Sequence, residues 1–408
     1  MRKINNQTMR ENNVRMLLNT IRKSGPVSRA ELAKGLGLTS PAVTNIVSGL
    51  LRDGLLVETG LSDAALGRKP ILLGINPSVR SVLGMVFTTE SATVVLSDFS
   101  ANILCREERA ISPMAGKNAI LATLIDCAKT CMWRTSTRRE QILGIGIAAP
   151  GPMDTRAGVL VNPPNFPDWH NVPICAIMED ALGIPAVLDK ETNAAAMAEY
   201  YYSVQEEFKT MFYILLLKNS IGGSVMLGGG VVHGFEDGAG DIGHMLVDIN
   251  GPRCSCGQFG CLECIASGNA LLSEARARLK SMSNASQPVP CRAESLTLED
   301  VFRLSAAGDP LFREVVDRAA RMIAVAVGNV VSLISPSLVV VGGTLTDLCP
   351  ALVPSIRSYV HSRSYPECVK RIRIEPSALG DSGSALGAVV LALDAFQTRL
   401  ATSASMQP

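Results

Sequence analysis

The chain has 408 residues, 47% of them hydrophobic, and a formal net charge of +1; that length exceeds one ordinary domain and predicts two or three folded units with ample core material. No run of about 18 apolar residues appears, and the start MRKINNQTMRENN lacks an apolar signal core, so the sequence predicts neither membrane insertion nor secretion and a cytoplasmic location. Eleven cysteines are an odd number for a disulfide framework, and a reducing compartment turns attention to metal ligation instead.

The small net charge hides an asymmetry. Residues 1–80 carry 12 Lys and Arg against 5 Asp and Glu, and the remainder carries 26 against 32. A front end of +7 beside a body of −6 points to a polyanionic partner for the front end, although charge alone fits a solvated basic face equally well.

In chain order, Val14, Leu17, Leu18 and Ile21 recur at helical spacing over residues 13–23, and Ser24-Gly25-Pro26 ends that helix. Ser28 and Glu31 form a capping-box pattern ahead of a short helix through Leu32 and Ala33. Gly37 makes a turn; Thr39 or Ser40 caps a third helix with Pro41 in its first turn, running through Val43, Ile46, Val47 and Leu50 to about Arg52. Two short strands, Leu55–Glu58 and Pro70–Leu73, flank a loop that makes a wing. The pattern is that of a winged helix-turn-helix over residues 1–80, with double-stranded DNA as its expected partner. Ser40, Pro41, Ala42, Thr44 and Asn45 would face base edges, Thr44 and Asn45 foremost, while Arg29, Arg68 and Lys69 suit phosphates or the minor groove. Such folds also dock proteins; the basic balance favours DNA.

Beyond residue 80, strand-like segments such as SVLGMVF, ATVVLSDF, ILGIGIAAP, PAVLDK, MFYILLL and SLVVVGG alternate with helical stretches near 118–133, 192–202 and 312–333. The alternation predicts an α/β protein of two lobes. Residues 282–294 read as an exposed loop and the tail after Ala401 as frayed.

One imidazole and three closely spaced thiols, His244, Cys254, Cys256 and Cys261, have the composition of a tetrahedral structural zinc site, one per chain, with Gly257 and Gly260 letting a short loop turn around the ion. Cys264 competes with His244 for the fourth position.

Residues 13–400 resemble the ROK family of repressors and sugar kinases, and in particular its transcriptional regulators with an amino-terminal winged helix. The likeness rests on Ala149-Pro150-Gly151-Pro152-Met153-Asp154, on Pro164-Asn165-Phe166 through Trp169, on Asn193-Ala194-Ala195-Ala196 through Glu199, on the GDIGH and CSCGQFGCLE segments, on Val341-Gly342-Gly343 and on Ala385-Leu386-Gly387-Ala388. It implies a two-lobed actin-like, sugar-kinase-like (ribonuclease H-like) ATPase-type fold, with one lobe from residues 81–195 plus 376–400 and the other from 196–375. It further implies that Asn165, His244 and Glu263 contact a sugar effector, with Gly151, Lys190, Glu191 and Asp241 completing the ligand set. A homodimer or homotetramer on a palindromic operator is expected, repressing carbohydrate-metabolism genes until sugar binding between the lobes changes the spacing of the DNA readers.

The chain departs from the kinase pattern where phosphate chemistry resides. The phosphate turn aligns with Val86-Phe87-Thr88-Thr89-Glu90, which lacks both the metal-binding Asp and the glycines, and the second phosphate loop reads Lys218-Asn219-Ser220-Ile221-Gly222-Gly223-Ser224 in place of a Gly-Thr-Gly start. Glu191 retains a carboxylate suited to a general base, but without a phosphate cradle the expectation is a regulator and not an enzyme. Kinases carry Asn-Asp where this chain has Lys190-Glu191, and Glu where it has Asp241. Lys190 would either pair with Glu191 or hold an anionic group on the ligand.

Overall fold

A computed structural model describes residues 6–61, 69–203, 208, 210–284, 291–362 and 367–403. Arg68 lies outside these residues, as do parts of the expected 282–294 loop and of the tail.

The amino-terminal head consists of helices Asn6–Ser24, Arg29–Leu36 and Ser40–Arg52 with an antiparallel sheet in which Ile71–Ile75 lies between Val27–Ser28 and Leu56–Leu61. The second helix starts where two backbone donors find side-chain acceptors: the Ser28 hydroxyl accepts from Glu31 N–H and the Glu31 carboxylate accepts from Ser28 N–H at 2.8 Å. It ends at Gly37, whose φ of 64° is the left-handed conformation that glycine adopts without strain. Thr39, not Ser40, caps the third helix by accepting from Ala42 N–H, and Pro41 sits in the first turn. Leu17, Leu18, Leu32, Val43 and Val47 are fully buried between the helices. Three helices and a three-stranded antiparallel sheet thus occupy the segment over which the sequence predicts a winged helix-turn-helix. The first helix begins earlier, at Asn6.

Two five-stranded sheets follow. In the first, the strands run Ala186–Lys190, Ile142–Ala149, Ser81–Phe87, Ser91–Asp98, Ile103–Ala110; in the second, Arg373–Pro376, Leu338–Gly342, Thr210–Leu216, Ile221–Leu227, Gly230–Val231. Each sheet has an antiparallel three-strand meander joined on its first strand by two parallel strands. The same topology therefore occurs twice. Ile103–Ala110 has no counterpart in the sequence reading: its ILCREERA run lacks apolar alternation because it is a mostly exposed edge strand, where charge blunts pairing with other chains.

The chain divides into two compact units. One holds the described residues through Ala194 and from Ser384 onward; the other holds Ala195–Gly383. The head thus shares a unit with the first sheet. Residues 376–383, expected with that sheet, belong to the second unit, because Arg373–Pro376 is a strand of the second sheet and the buried Glu199 carboxylate accepts from the Ser377 hydroxyl and the Ala378 N–H just beyond it. In the first unit the helix Gly383–Ser403 lies directly on the sheet at Gly146, where a Cβ would come within 2.0 Å of the Ala388 carbonyl oxygen. No helix among the described residues is long and apolar enough to cross a membrane.

Candidate functional site

The site residues expected from the sequence fall into three groups, and the first is a face of the helix Ser40–Arg52. Val43, Val47 and Leu50 turn into the core, which leaves Ser40, Pro41, Thr44, Asn45 and Ser48 exposed along one face, with Ala42 half-buried beside them. The Asn45 amide makes no hydrogen bond among the described residues, whereas the Thr44 hydroxyl donates to the Ser40 carbonyl at 2.8 Å and so presents chiefly its methyl group. Ser48, one turn beyond Thr44, extends this face; its helical spacing was the signal that places it there. Arg29 pairs with Glu58 at 3.6 Å, while Lys69 is exposed beside the wing strand.

The second group lies within the second unit. The ligand atoms of His244, Cys254, Cys256 and Cys261 all fall within 4.8 Å of one another. Cys254 Sγ stands 3.6 Å from His244 Nδ1, and Cys256 Sγ stands 3.7 Å from Cys261 Sγ. The loop can close this tightly because Gly260, at φ 70°, lies where a Cβ would come within 1.7 Å of the Asp248 carbonyl. Cys264 is not among the four; its thiol donates to the Cys261 and Pro252 carbonyls at 3.1 and 3.4 Å. Burial pushes the Cys261 thiol up to about 12, and the neighbouring sulfurs add to that shift. A divalent cation reverses this balance by stabilising thiolates, so one imidazole and three thiols at this separation are a donor set fitted to hold a metal ion. Beside it, burial raises the Glu263 carboxyl above its usual range although Ile221 N–H donates to it at 3.2 Å. Burial acts to lower the His244 pKa, but Asp241, Cys254 and Glu263 outweigh it and hold the imidazole above its ordinary value. Asp241, His244 and Glu263 therefore form one electrostatic cluster.

The third group belongs to the first unit. Phe166 and Trp169 are buried against Phe87, with Trp169 stacked at 5.1 Å between ring centroids, and this anchoring leaves Asn165 exposed. Lys190 ends a strand and Glu191 begins the helix Glu191–Tyr202, so their side chains diverge. The two make no ion pair. The Lys190 stem packs beside Gly151, 3.6 Å from the position a Cβ would take, and Glu191 instead accepts from the Ser384 hydroxyl at 3.2 Å. Burial pushes the Glu191 carboxyl up to about 7, the Ser384 hydrogen bond opposing it. Of the two roles left open for Lys190, internal pairing with Glu191 is thus not the one the structure adopts.

The segment aligned with the kinase phosphate turn is a closed hairpin. Thr88 N–H donates to the Ser91 carbonyl at 2.8 Å, and the Thr88 hydroxyl accepts from the N–H groups of Glu90 and Ser91, each at 3.1 Å. Val86 is buried in the core of the unit. The amides that would cradle a phosphate are spent inside the turn, and the Glu90 carboxylate adds negative charge there. In the second loop Leu217 N–H donates to the Ser220 carbonyl at 2.9 Å, and Asn269 Nδ2 donates to Asn219 Oδ1 at 2.6 Å.

Comparison with known proteins matches residues 87–395 to the model of the ROK family. The xylose repressor of Caldicellulosiruptor bescii is 25% identical over 389 residues, covering 95% of this chain and 97% of that protein. Among solved structures, a ROK family transcriptional regulator described as a homologue of the E. coli MLC protein aligns with a TM-score of 0.80 at 24% identity, over 97% of this chain and 98% of its own. The ROK hexokinase from Thermus thermophilus aligns at 0.61 and 28% identity over 97% of its length but 76% of this chain. The matched region holds the second sheet, four of the five strands of the first, the Cys/His cluster and Glu191, and on that evidence the chain belongs to the ROK family.

Proposed function

We propose that this protein is a sugar-responsive transcriptional repressor. The observation that carries this reading is the amino-terminal head: the exposed face Ser40, Pro41, Thr44, Asn45 and Ser48 stands on a helix-turn-helix whose segment holds 12 basic against 5 acidic residues, joined to a ROK chain. A relative named xylose repressor matches the chain over 95% of its length, head included. In this reading Asn45, Thr44 and Ser40 read base edges in the major groove, with Pro41 and Ala42 lining the approach and Ser48 joining them. Lys69 and Arg68 steady the wing on phosphates, and Arg29 does the same for the second helix when it exchanges its Glu58 partner. The assembly is a symmetric oligomer on a palindromic operator of carbohydrate-metabolism genes.

Asn165, Gly151, Lys190 and Glu191 within the first unit, and Asp241, His244 and Glu263 within the second, are each suited to contact a sugar effector, since carboxylate, amide and imidazole groups supply the donors and acceptors that hydroxyls need. His244, Cys254, Cys256 and Cys261 hold one structural zinc ion per chain, which fixes the loop carrying Glu263.

The hexokinase likeness favours a second reading, a sugar kinase with Glu191 as base. The spent amides at Thr88–Ser91 and the charge of Glu90 stand against it. Binding of magnesium-ATP, measured by calorimetry, separates the two: the repressor reading expects none, together with operator binding that a sugar relieves, and sugar phosphorylation at an enzymic rate would overturn it.

A further inference from the structure

The second unit contains a cavity of about 570 Å³ beside the Cys/His cluster, and most of its lining has no role assigned above. Its lining includes Cys254 and Glu263, Ser255 of the cysteine loop, Asn269, Ser273 and Glu274 of the helix Gly268–Asn284, and Arg318. Its volume falls within the roughly 300–1,000 Å³ range of ligand sites and exceeds what one pyranose ring fills.

The lining selects the occupant. Asn219 and Asn269 set their amides on the rim at 2.6 Å from one another, and Ser255, Ser267 and Ser273 add hydroxyls. Pro252, Ile265 and Ala270 offer a small apolar patch on which the C–H face of a sugar ring can rest. Glu274 is held by Arg278 at 2.7 Å and by Arg318 at 3.2 Å, and Arg318 also pairs with Asp248 at 3.5 Å. The cation on the lining is thus already engaged by carboxylates and offers little to an anionic group, whereas hydroxyls, each both donor and acceptor, match carboxylates and amides.

We propose that this cavity is a subsite for a second, uncharged sugar unit, so that the effector is a disaccharide or longer oligosaccharide whose first unit contacts Glu263. The proposal rests on the sugar-effector reading above and adds the length of the ligand. Ser273 is exposed on its helix, so a bulky replacement there fills the cavity without entering the core.

The test is calorimetric titration of the intact protein with matched pairs: glucose against maltose and cellobiose, and xylose against xylobiose. The expected result is that at least one disaccharide binds ten-fold or more tightly than its monosaccharide. Ser273→Trp should abolish that advantage while leaving monosaccharide affinity unchanged. Asn269→Ala, at an exposed position, should reduce the advantage and serves as the second variant should the tryptophan disturb folding. Disaccharides binding no more tightly than their monosaccharides would overturn the subsite alone. Binding of neither sugar length would overturn the effector reading as well.

Discussion

The Arg22 guanidinium donates to the Gln397 side-chain oxygen at 3.2 Å, and Gln397 in turn donates to Asn19 at 2.9 Å, so the first helix of the head is tied to the carboxy-terminal helix of the chain. Asn19 and Arg15 reach Asp394 on the same helix at 3.0 and 3.5 Å. The other end of that helix carries Ser384, the partner of Glu191. One helix therefore touches both Glu191 and the amino-terminal head.

Gln397 is fully buried, so Gln397→Leu removes one hydrogen bond from each of Arg22 and Asn19 and should cost about 1–3 kcal/mol in denaturant unfolding. It should also shrink the ratio of operator affinities measured without and with sugar. Wild-type stability together with an unchanged ratio would show that this contact transmits nothing.

Glu191 sets a pH dependence. Its folded pKa is about 7 and its ordinary value 4.5, so the unfolded chain ionises first as pH rises, and the folded state loses stability progressively between these values. Below about 4.5 the penalty vanishes and above about 7 it is complete. Because the residue keeps partial solvent access, the penalty is about 1–3 kcal/mol. Urea unfolding of wild type and Glu191→Gln at pH 5 and pH 8 checks it: the variant should gain stability relative to wild type at the higher pH only.

For the metal centre, Cys256→Ser removes one of four donors from a cluster in which the others are already gathered. Pure wild-type protein should carry one zinc per chain, and the variant well under one, with a melting temperature several degrees lower. Equal zinc content in both would remove Cys256 from the ligand set, and a parallel loss in Cys264→Ser alone would move the site to that residue.

Lys190 makes no ion pair with Glu191, so its ammonium stands available to a ligand on the Gly151 side. A sugar 6-phosphate or sugar acid should bind better than its neutral parent, and Lys190→Asn should erase that preference. An unchanged rank order of affinities in the variant would show that Lys190 does not read the ligand.

Sequence alone revealed what is local. The capping box of Ser28 and Glu31, Pro41 in a first turn, and four side chains of metal-ligand type within a short stretch each depend on neighbours in the chain, and the structure contains all three arrangements. Long-range relations were not legible. Nothing near Gln397 announces Arg22, and nothing in LDKET shows that a strand-to-helix junction sends Lys190 and Glu191 apart. The edge strand Ile103–Ala110 was hidden because solvent, not a core, sets its composition, and the cavity beside Glu263 exists only once the helix Gly268–Asn284 packs against the cysteine loop.

The central claim is that the head reads a specific sequence and that sugar controls it. Footprinting of the full-length protein on fragmented DNA of its own genome, with and without sugars, tests this most directly. The account predicts an enriched palindrome, salt-sensitive occupancy and release by a sugar. Asn45→Ala should cost about 1–3 kcal/mol and blur one base position, while Lys69→Ala weakens all sequences alike. Occupancy without any enriched sequence, or an enriched palindrome that no sugar of either length releases, would contradict it.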